Sequence, residues 1–207
     1  MKADLLLQQF AKTPVAGAVK TRLMSELSAE QACAVHCELA ARTARVLQEY
    51  ADARFELWID GARDDEFMNG LLSGSEVQLL MQQGVDLGER MAFSLADGAQ
   101  RAMRVLLVGS DCPVLSVEFL QTAAKALEHA PAVLGPADDG GYVLIGCRDE
   151  VATKMRAALA GIRWGTEHAL QQTVDGMVEQ GVEPALLPAS FDVDTPDDLR
   201  RWRALQA

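Results

Sequence analysis

The chain is short of positive charge: of its 207 residues, 19 are Lys or Arg against 30 Asp or Glu, a formal net charge of −11. That deficit excludes a protein that coats nucleic acid or an anionic membrane through a broadly basic surface. Long hydrophobic runs are missing too. Stretches such as Leu5–Leu7 and Val105–Val108 fall far short of the roughly 20 residues a helix needs to cross a bilayer. Gln8 and Gln9 break the apolar start where a signal peptide would have its centre, so a cytoplasmic location is the expectation. Cysteine is sparse: Cys33, Cys37, Cys112 and Cys147 do not build a dense disulfide framework. Cys33, His36 and Cys37 share part of a helix surface, but no second pair with ligand spacing joins them, so free thiols are expected there rather than a metal site. His36, His129 and His168 stand alone. The Walker loop, the G-x-G-x-x-G fingerprint, the G-x-S-x-G elbow and H-E-x-x-H are absent, as are repeats and low-complexity segments.

What remains is 49% hydrophobic and 24% charged residues, a balance that builds a core and disfavours disorder. The length fits one domain, residues 1–207. Strands are expected at Leu5–Phe10, Phe55–Ile59, Val77–Met81, Val105–Val108, Ala132–Leu134, Tyr142–Cys147 and near Ala185–Leu187. Between them fall helical patterns at Ser28–Tyr50, Asp86–Met103, Ser116–His129, Glu150–Leu159 and Thr166–Gln180, with a last helix starting at Pro196. This alternation predicts an α/β fold, an open and mostly parallel sheet with helices on both faces. Ligands of such sheets gather beyond the carboxyl ends of the strands.

The polar motifs fall at those ends. Residues 1–22 reverse the overall charge, with Lys2, Lys12, Lys20 and Arg22 against Asp4 alone. In the loop after the first strand, Pro14 and Gly17 shape a turn, and Lys12, Lys20 and Arg22 can converge on one anion such as phosphate. Asp111, in Gly109-Ser110-Asp111-Cys112-Pro113, ends the most strand-like segment, where a carboxylate either holds Mg²⁺ or caps the next turn. In Asp192-Val193-Asp194-Thr195-Pro196, residues two apart share a face if extended, so Asp192 and Asp194 can approach one cation, while Asp194 or Thr195 caps the helix that follows. Asp197 and Asp198 suit the positive end of that helix. Asp138-Asp139-Gly140-Gly141 reads as a hairpin turn whose acids can meet a hydroxyl or a metal. Gln83–Met91 is a strand-to-helix junction able to frame a nucleobase or ribose.

Taken in order, FAKTPVAGAVKTRL, QQGVDLGERM, GSDCP, GPADDGGYVLIG, IRWGTEHALQQT and FDVDTPDDL resemble the bacterial transferases of the DUF2064 family, often labelled glycosyltransferases associated with radical-SAM or arsenosugar biosynthesis clusters. The resemblance runs from about residue 5 to 202. More distantly the series is similar to phospholactate and molybdenum-cofactor guanylyltransferases. It implies a GT-A-like nucleotide-diphospho-sugar transferase fold and a transferase dependent on Mg²⁺ or Mn²⁺, with glycosyl transfer ranked ahead of nucleotidyl transfer from a triphosphate and, in another class, ahead of a non-catalytic nucleotide-binding module. Its partners would be a nucleotide or nucleotide-sugar donor and a small-molecule acceptor, with no nucleic acid. By the same resemblance, Lys12, Gly17, Lys20 and Arg22 would bind phosphate, with Asp86 and Gly88 near the nucleotide. Asp111, completed by Asp192 or Asp194, would hold the metal, and Asp139, Gly140 and Gly141 would lie near the acceptor. Lys20, Asp111 and Asp139 would serve catalysis. Many relatives carry a basic residue after Gly17, where this chain has Ala18.

Overall fold

A computed structural model describes residues 2–72 and 77–206. Its centre is a seven-stranded sheet in the order β3-β2-β1-β4-β6-β5-β7. The strands are β1 (Ala3–Lys12), β2 (Arg54–Asp60), β3 (Gln78–Met81), β4 (Ala102–Val108), β5 (Ala132–Pro136), β6 (Tyr142–Arg148) and β7 (Pro184–Leu186). All neighbours pair in parallel except β6, which runs antiparallel to both β4 and β5. The mostly parallel α/β sheet expected from the alternation is therefore what forms.

Strand β1 is buried on both faces, as an interior parallel strand must be. Its side chains divide by parity. Leu5 and Leu7 join a core with Ala44 and Leu47 of helix α1 (Ala29–Glu49) and Leu120 and Ala123 of α4 (Val117–Ala126). Leu6 joins the opposite core, with Met91 and Leu95 of α3 (Leu87–Gly98), Met155 of α5 (Met155–Ala158) and Met177 of α6 (Ala169–Glu179). A third cluster, including Leu23, Leu39, Val193 and Trp202, seats the terminal helix α7 (Pro196–Leu205) beside α1.

The two glutamines that interrupt the apolar start are fully buried, and each donates two hydrogen bonds. Gln8 Nε2 binds Glu56 and the Ser94 carbonyl; Gln9 Nε2 binds Ser110 Oγ and the Ala40 carbonyl. They tie β1 to the layers on either side of it.

Two boundaries differ from expectation. The helix expected over Asp86–Met103 stops at Gly98, because Ala102 and Arg104 are taken by β4 pairing with Ala3 and Leu5. The pattern at Glu150–Leu159 is a 3-10 helix, Asp149–Lys154, before the single α-turn of α5. A one-turn helix α2 (Glu66–Gly70), capped by Asp65, carries too few residues to show a period and was not expected.

Strands β1 and β4 are adjacent, yet the chain leaves β1 for β2 on one side and reaches β4 on the other. Their carboxyl ends form the topological switch point at which open α/β sheets bind ligands.

Candidate active site

The loop leaving β1 carries the cations. His36, on α1, lies with Nε2 2.7 Å from the Lys12 carbonyl and fixes the start of the loop. Gly17 has φ +83° and open space around it, so it gives the backbone its turn without packing against anything. Lys20 has φ 48° and ψ 40°, the one positive-φ residue other than glycine among the described residues. Such a left-handed lysine is held by its surroundings. Its Nζ lies 2.8 Å from Asp111 Oδ1 and 3.0 Å from Asp194 Oδ1, and the side chain is only 5% exposed. Burial pulls its pKa down, but the two carboxylates outweigh it and hold it above the usual lysine value. Arg22 adds a second cation on Asp194, at 3.2 Å. Lys12, Lys20 and Arg22 line one cavity of 270 Å³ with His36, Asp111 and Asp194. The three cations expected to converge on an anion thus face one cavity.

The carboxylates reach the site from two directions. Asp111 follows β4. Gln9 Nε2 donates to Ser110 Oγ at 2.9 Å, and that hydroxyl donates to the Phe10 carbonyl at 2.8 Å, so the residue before Asp111 is pinned to β1. The Val193 N–H donates to the Asp111 carbonyl at 3.0 Å, which docks the segment carrying Asp192 and Asp194. Val193 is fully buried while both acids line a second cavity, the alternation expected of an extended segment. Thr195, not Asp194, caps α7. Asp198 is more than a charge at the end of a helix: its Oδ2 accepts from Thr195 N, Thr195 Oγ1 and Asp194 N. Those bonds overcome the effect of burial and lower its pKa. Burial, then the carboxylates of Asp194, Asp139 and Asp111, pushes Asp192 up to about 6.

The second cavity, 260 Å³, is bounded by the carboxyl ends of β1 and β4, by β6 and its hairpin turn, by the start of α3 and by the segment bearing Trp164. Its walls include Leu87, Met91, Tyr142 and Trp164, and the acids on it are Asp139, Asp192 and Asp194. Tyr142 and Trp164 meet edge to face, with centroids 6.2 Å apart at 78°. Asp139 Oδ1 accepts the Gly141 N–H at 2.9 Å and shapes the hairpin turn. Gly140 has φ +84°, and a Cβ there would lie 2.2 Å from the Glu167 carbonyl, so only glycine lets the turn press on the segment bearing Trp164. Asp194 lines both cavities.

Lys12, Lys20, Arg22, Asp111, Asp139, Gly141, Asp192 and Asp194 are thus brought to the two cavities. Gly17 and Gly140 shape loops beside them. Asp86 and Gly88 line neither. Asp86 caps α3, accepting from Glu89 N at 2.8 Å, and a Cβ on Gly88 would meet the Leu159 carbonyl at 2.5 Å. Trp164 and Tyr142 were missed as site residues, because they become neighbours only through the fold. The support from His36, Gln9 and Asp198 was missed as well. Of these, Asp198 alone had a signal, the Thr-x-x-Asp spacing of a capping box.

Among the described residues, no group of three or more His, Cys, Asp or Glu is drawn together as around a metal. Lys20 acts as counter-ion to Asp111 and Asp194 instead. The donor set still fits a hard divalent cation. Its ligands are carboxylate oxygens. Asp111 Oδ1 is buried and makes an ion pair without an aligned hydrogen bond. Burial raises Asp192 most, and the repulsion from neighbouring carboxylates that adds to it is of the kind a cation relieves.

A family model described as "Uncharacterized protein conserved in bacteria (DUF2064)" matches residues 43–166. The solved structure of a Desulfovibrio desulfuricans G20 protein, provisionally named a nucleotide-diphospho-sugar transferase, is 33% identical with a TM-score of 0.85, over 95% of this chain and 85% of that one. Two others share the fold at low identity. One is 4-diphosphocytidyl-2C-methyl-D-erythritol synthase of Anaerococcus prevotii DSM 20548, at 12% identity and a TM-score of 0.64, over 98% of this chain and 96% of that one. The other is the manganese complex of Rv0371c from Mycobacterium tuberculosis H37Rv, at 18% and 0.59, over 98% of each chain. No curated protein matches the sequence.

Proposed function

Because this chain belongs to the bacterial DUF2064 family, we propose that it is a nucleotide-utilising transferase, moving a glycosyl group from a nucleotide-diphospho-sugar to a small acceptor with the help of Mg²⁺ or Mn²⁺. The observation that carries this reading is the pair of cavities meeting at Asp194, one holding three cationic side chains and the other aromatic and acidic. A donor with a polyanionic leaving group suits the first, and an acceptor suits the second. The name of the Desulfovibrio relative supports the same assignment.

In this reaction an acceptor oxygen forms a bond to the anomeric carbon. The bond from that carbon to the diphosphate oxygen breaks, and its electron pair leaves with the nucleoside diphosphate. The acceptor proton passes to a carboxylate of the second cavity, where Asp139 would take the acceptor's hydrogen bond. Lys12, Lys20 and Arg22 bind the diphosphate and stabilise the charge that grows on it, commonly the largest single catalytic contribution. Asp111 with Asp194, and Asp192 beside them, would hold the cation, which when bound neutralises the leaving phosphate. No protein nucleophile is required.

Three cations in one cavity also favour a second reading, nucleotidyl transfer from a triphosphate with release of pyrophosphate. Incubating the protein with Mg²⁺, a panel of nucleotide sugars and nucleoside triphosphates, and candidate acceptors separates the two. Nucleoside diphosphate release supports glycosyl transfer, and pyrophosphate release replaces it with the second reading. Nucleotide binding indifferent to both Mg²⁺ and Asp111→Ala overturns the cation site.

A further inference from the structure

We infer that the acceptor is a neutral or amine-bearing small molecule with a ring-sized apolar body, and not a phosphorylated or carboxylated compound. This rests on the transferase reading above and assigns the chemistry of its second substrate.

The charges of the two cavities carry the inference. The cations that suit phosphate, Lys12, Lys20 and Arg22, all line the first. Among the described residues no Lys, Arg or His lines the second, where the charged groups are Asp139, Asp192 and Asp194. Of the arginines around it, Arg22 pairs with Asp194 from the first cavity, Arg201 with Asp138 and Arg90 with Asp60, while Arg163, next to Trp164, does not line the cavity. A bound divalent cation could face one anionic group, at the reaction centre. A second phosphate or carboxylate would meet Asp139 and Asp192, with cationic partners on Asp194 alone, in a half-enclosed apolar space where like charges repel. Hydroxyl and ammonium groups, in contrast, donate to those same oxygens.

The apolar walls supply the second half of the argument. Leu87 is 43% exposed although it sits on the rim of this cavity, so a ligand body there would cover it. The rings of Tyr142 and Trp164 stand edge to face beside it. The Tyr142 hydroxyl is engaged with Met91 Sδ at 3.9 Å and Thr173 Oγ1 at 3.5 Å. A dry cavity of roughly 150 Å³ takes up benzene; at 260 Å³ this one has room for a ring and its substituents.

The test uses the full chain with Mg²⁺ and four probes of one shape: 2-phenylethanol, 2-phenylethylamine, phenylacetate and phenyl phosphate. Binding is read by saturation-transfer NMR at millimolar concentrations, and nucleotide binding is measured separately by calorimetry. The alcohol and the amine are expected to bind at least tenfold more tightly than the two anions. Trp164→Ala should abolish that binding while leaving nucleotide affinity within twofold. Asp139→Asn with Asp192→Asn should narrow the discrimination against anions at least fivefold while 2-phenylethanol still binds. If nucleotides bind but the anions bind as well as the alcohol, or no probe binds, the acceptor class is wrong and the transferase reading stands. Displacement of 2-phenylethanol by the free nucleobase or nucleoside also overturns it, by making the cavity part of the donor site. Failure of every nucleotide and nucleotide sugar to bind, with the probes still discriminated, instead removes the transferase reading.

Discussion

At the scale of single residues, Lys20 is where opposing demands meet. It is buried, left-handed in its backbone, and shared between two acids that approach from different parts of the chain. In Lys20→Met, Asp111 and Asp194 lose that shared counter-ion. The melting temperature in metal-free buffer should fall by an amount equivalent to about 1–3 kcal/mol, after discounting for partial solvent screening of both carboxylates. Added Mg²⁺ should recover part of the loss, and the transfer rate should fall roughly 10²–10³-fold. Thermal shift with and without Mg²⁺, together with product release, checks both. The thiols make a contrasting case. Burial pushes Cys147 up to about 12, and burial with the neighbouring Cys33 pushes Cys37 up to about 11. A raised thiol pKa means almost no thiolate at pH 8, so both should resist iodoacetamide in the native protein and react once it is denatured, as mass spectrometry would show. The cations and acids were legible because each sits in a compact run at a strand end. Tyr142 and Trp164 were not, because an aromatic residue in a strand or loop carries no sign of which cavity it will face.

At the scale of elements, α7 acts as a brace for the acid it follows. Its capping box binds Thr195 and the Asp194 backbone through one carboxylate, Asp198. Thr195→Ala should cost about 1 kcal/mol of stability. Turnover should fall further than that loss explains, because Asp194 loses part of its support; kinetics measured well below the melting temperature would show it. The β5–β6 hairpin answers to a stricter rule. Gly140→Ala combines a positive φ with a 2.2 Å contact on the Glu167 carbonyl, so a loss of roughly 1–3 kcal/mol is expected in chemical denaturation. Helix starts were readable at Ser28 and Asp86, which cap as their spacing suggests, and at Thr195, one of the two caps that the Asp194-Thr195 pair left open. Helix ends were less so. Nothing local in Gln100–Met103 says that β1 will draw Ala102 into the sheet; that competition is settled by pairing with residues a hundred positions away.

At the scale of the whole molecule, the alternation of apolar runs and helical patterns was enough to foresee the sheet and its two covering layers. The reversed strand β6 was foreseeable only from the Asp-Gly hairpin turn that precedes it, because a strand's hydrophobic pattern reads the same in either direction. Its reversal turns the β5–β6 loop, with Asp139, toward the carboxyl ends of β1 and β4. Asp194 then stands as a wall common to two chambers. Occupants of rooms that share a charged wall are not independent. A nucleotide that repositions Asp194 or alters its counter-ions changes the free energy of whatever lies on the other side. Linkage makes the effect reciprocal: the factor by which nucleotide changes acceptor affinity must equal the factor by which acceptor changes nucleotide affinity. Paired calorimetric titrations should give one coupling factor from both directions, and Asp194→Asn should drive it toward unity. The two substrates would then be sensed through a single carboxylate before any bond is made or broken.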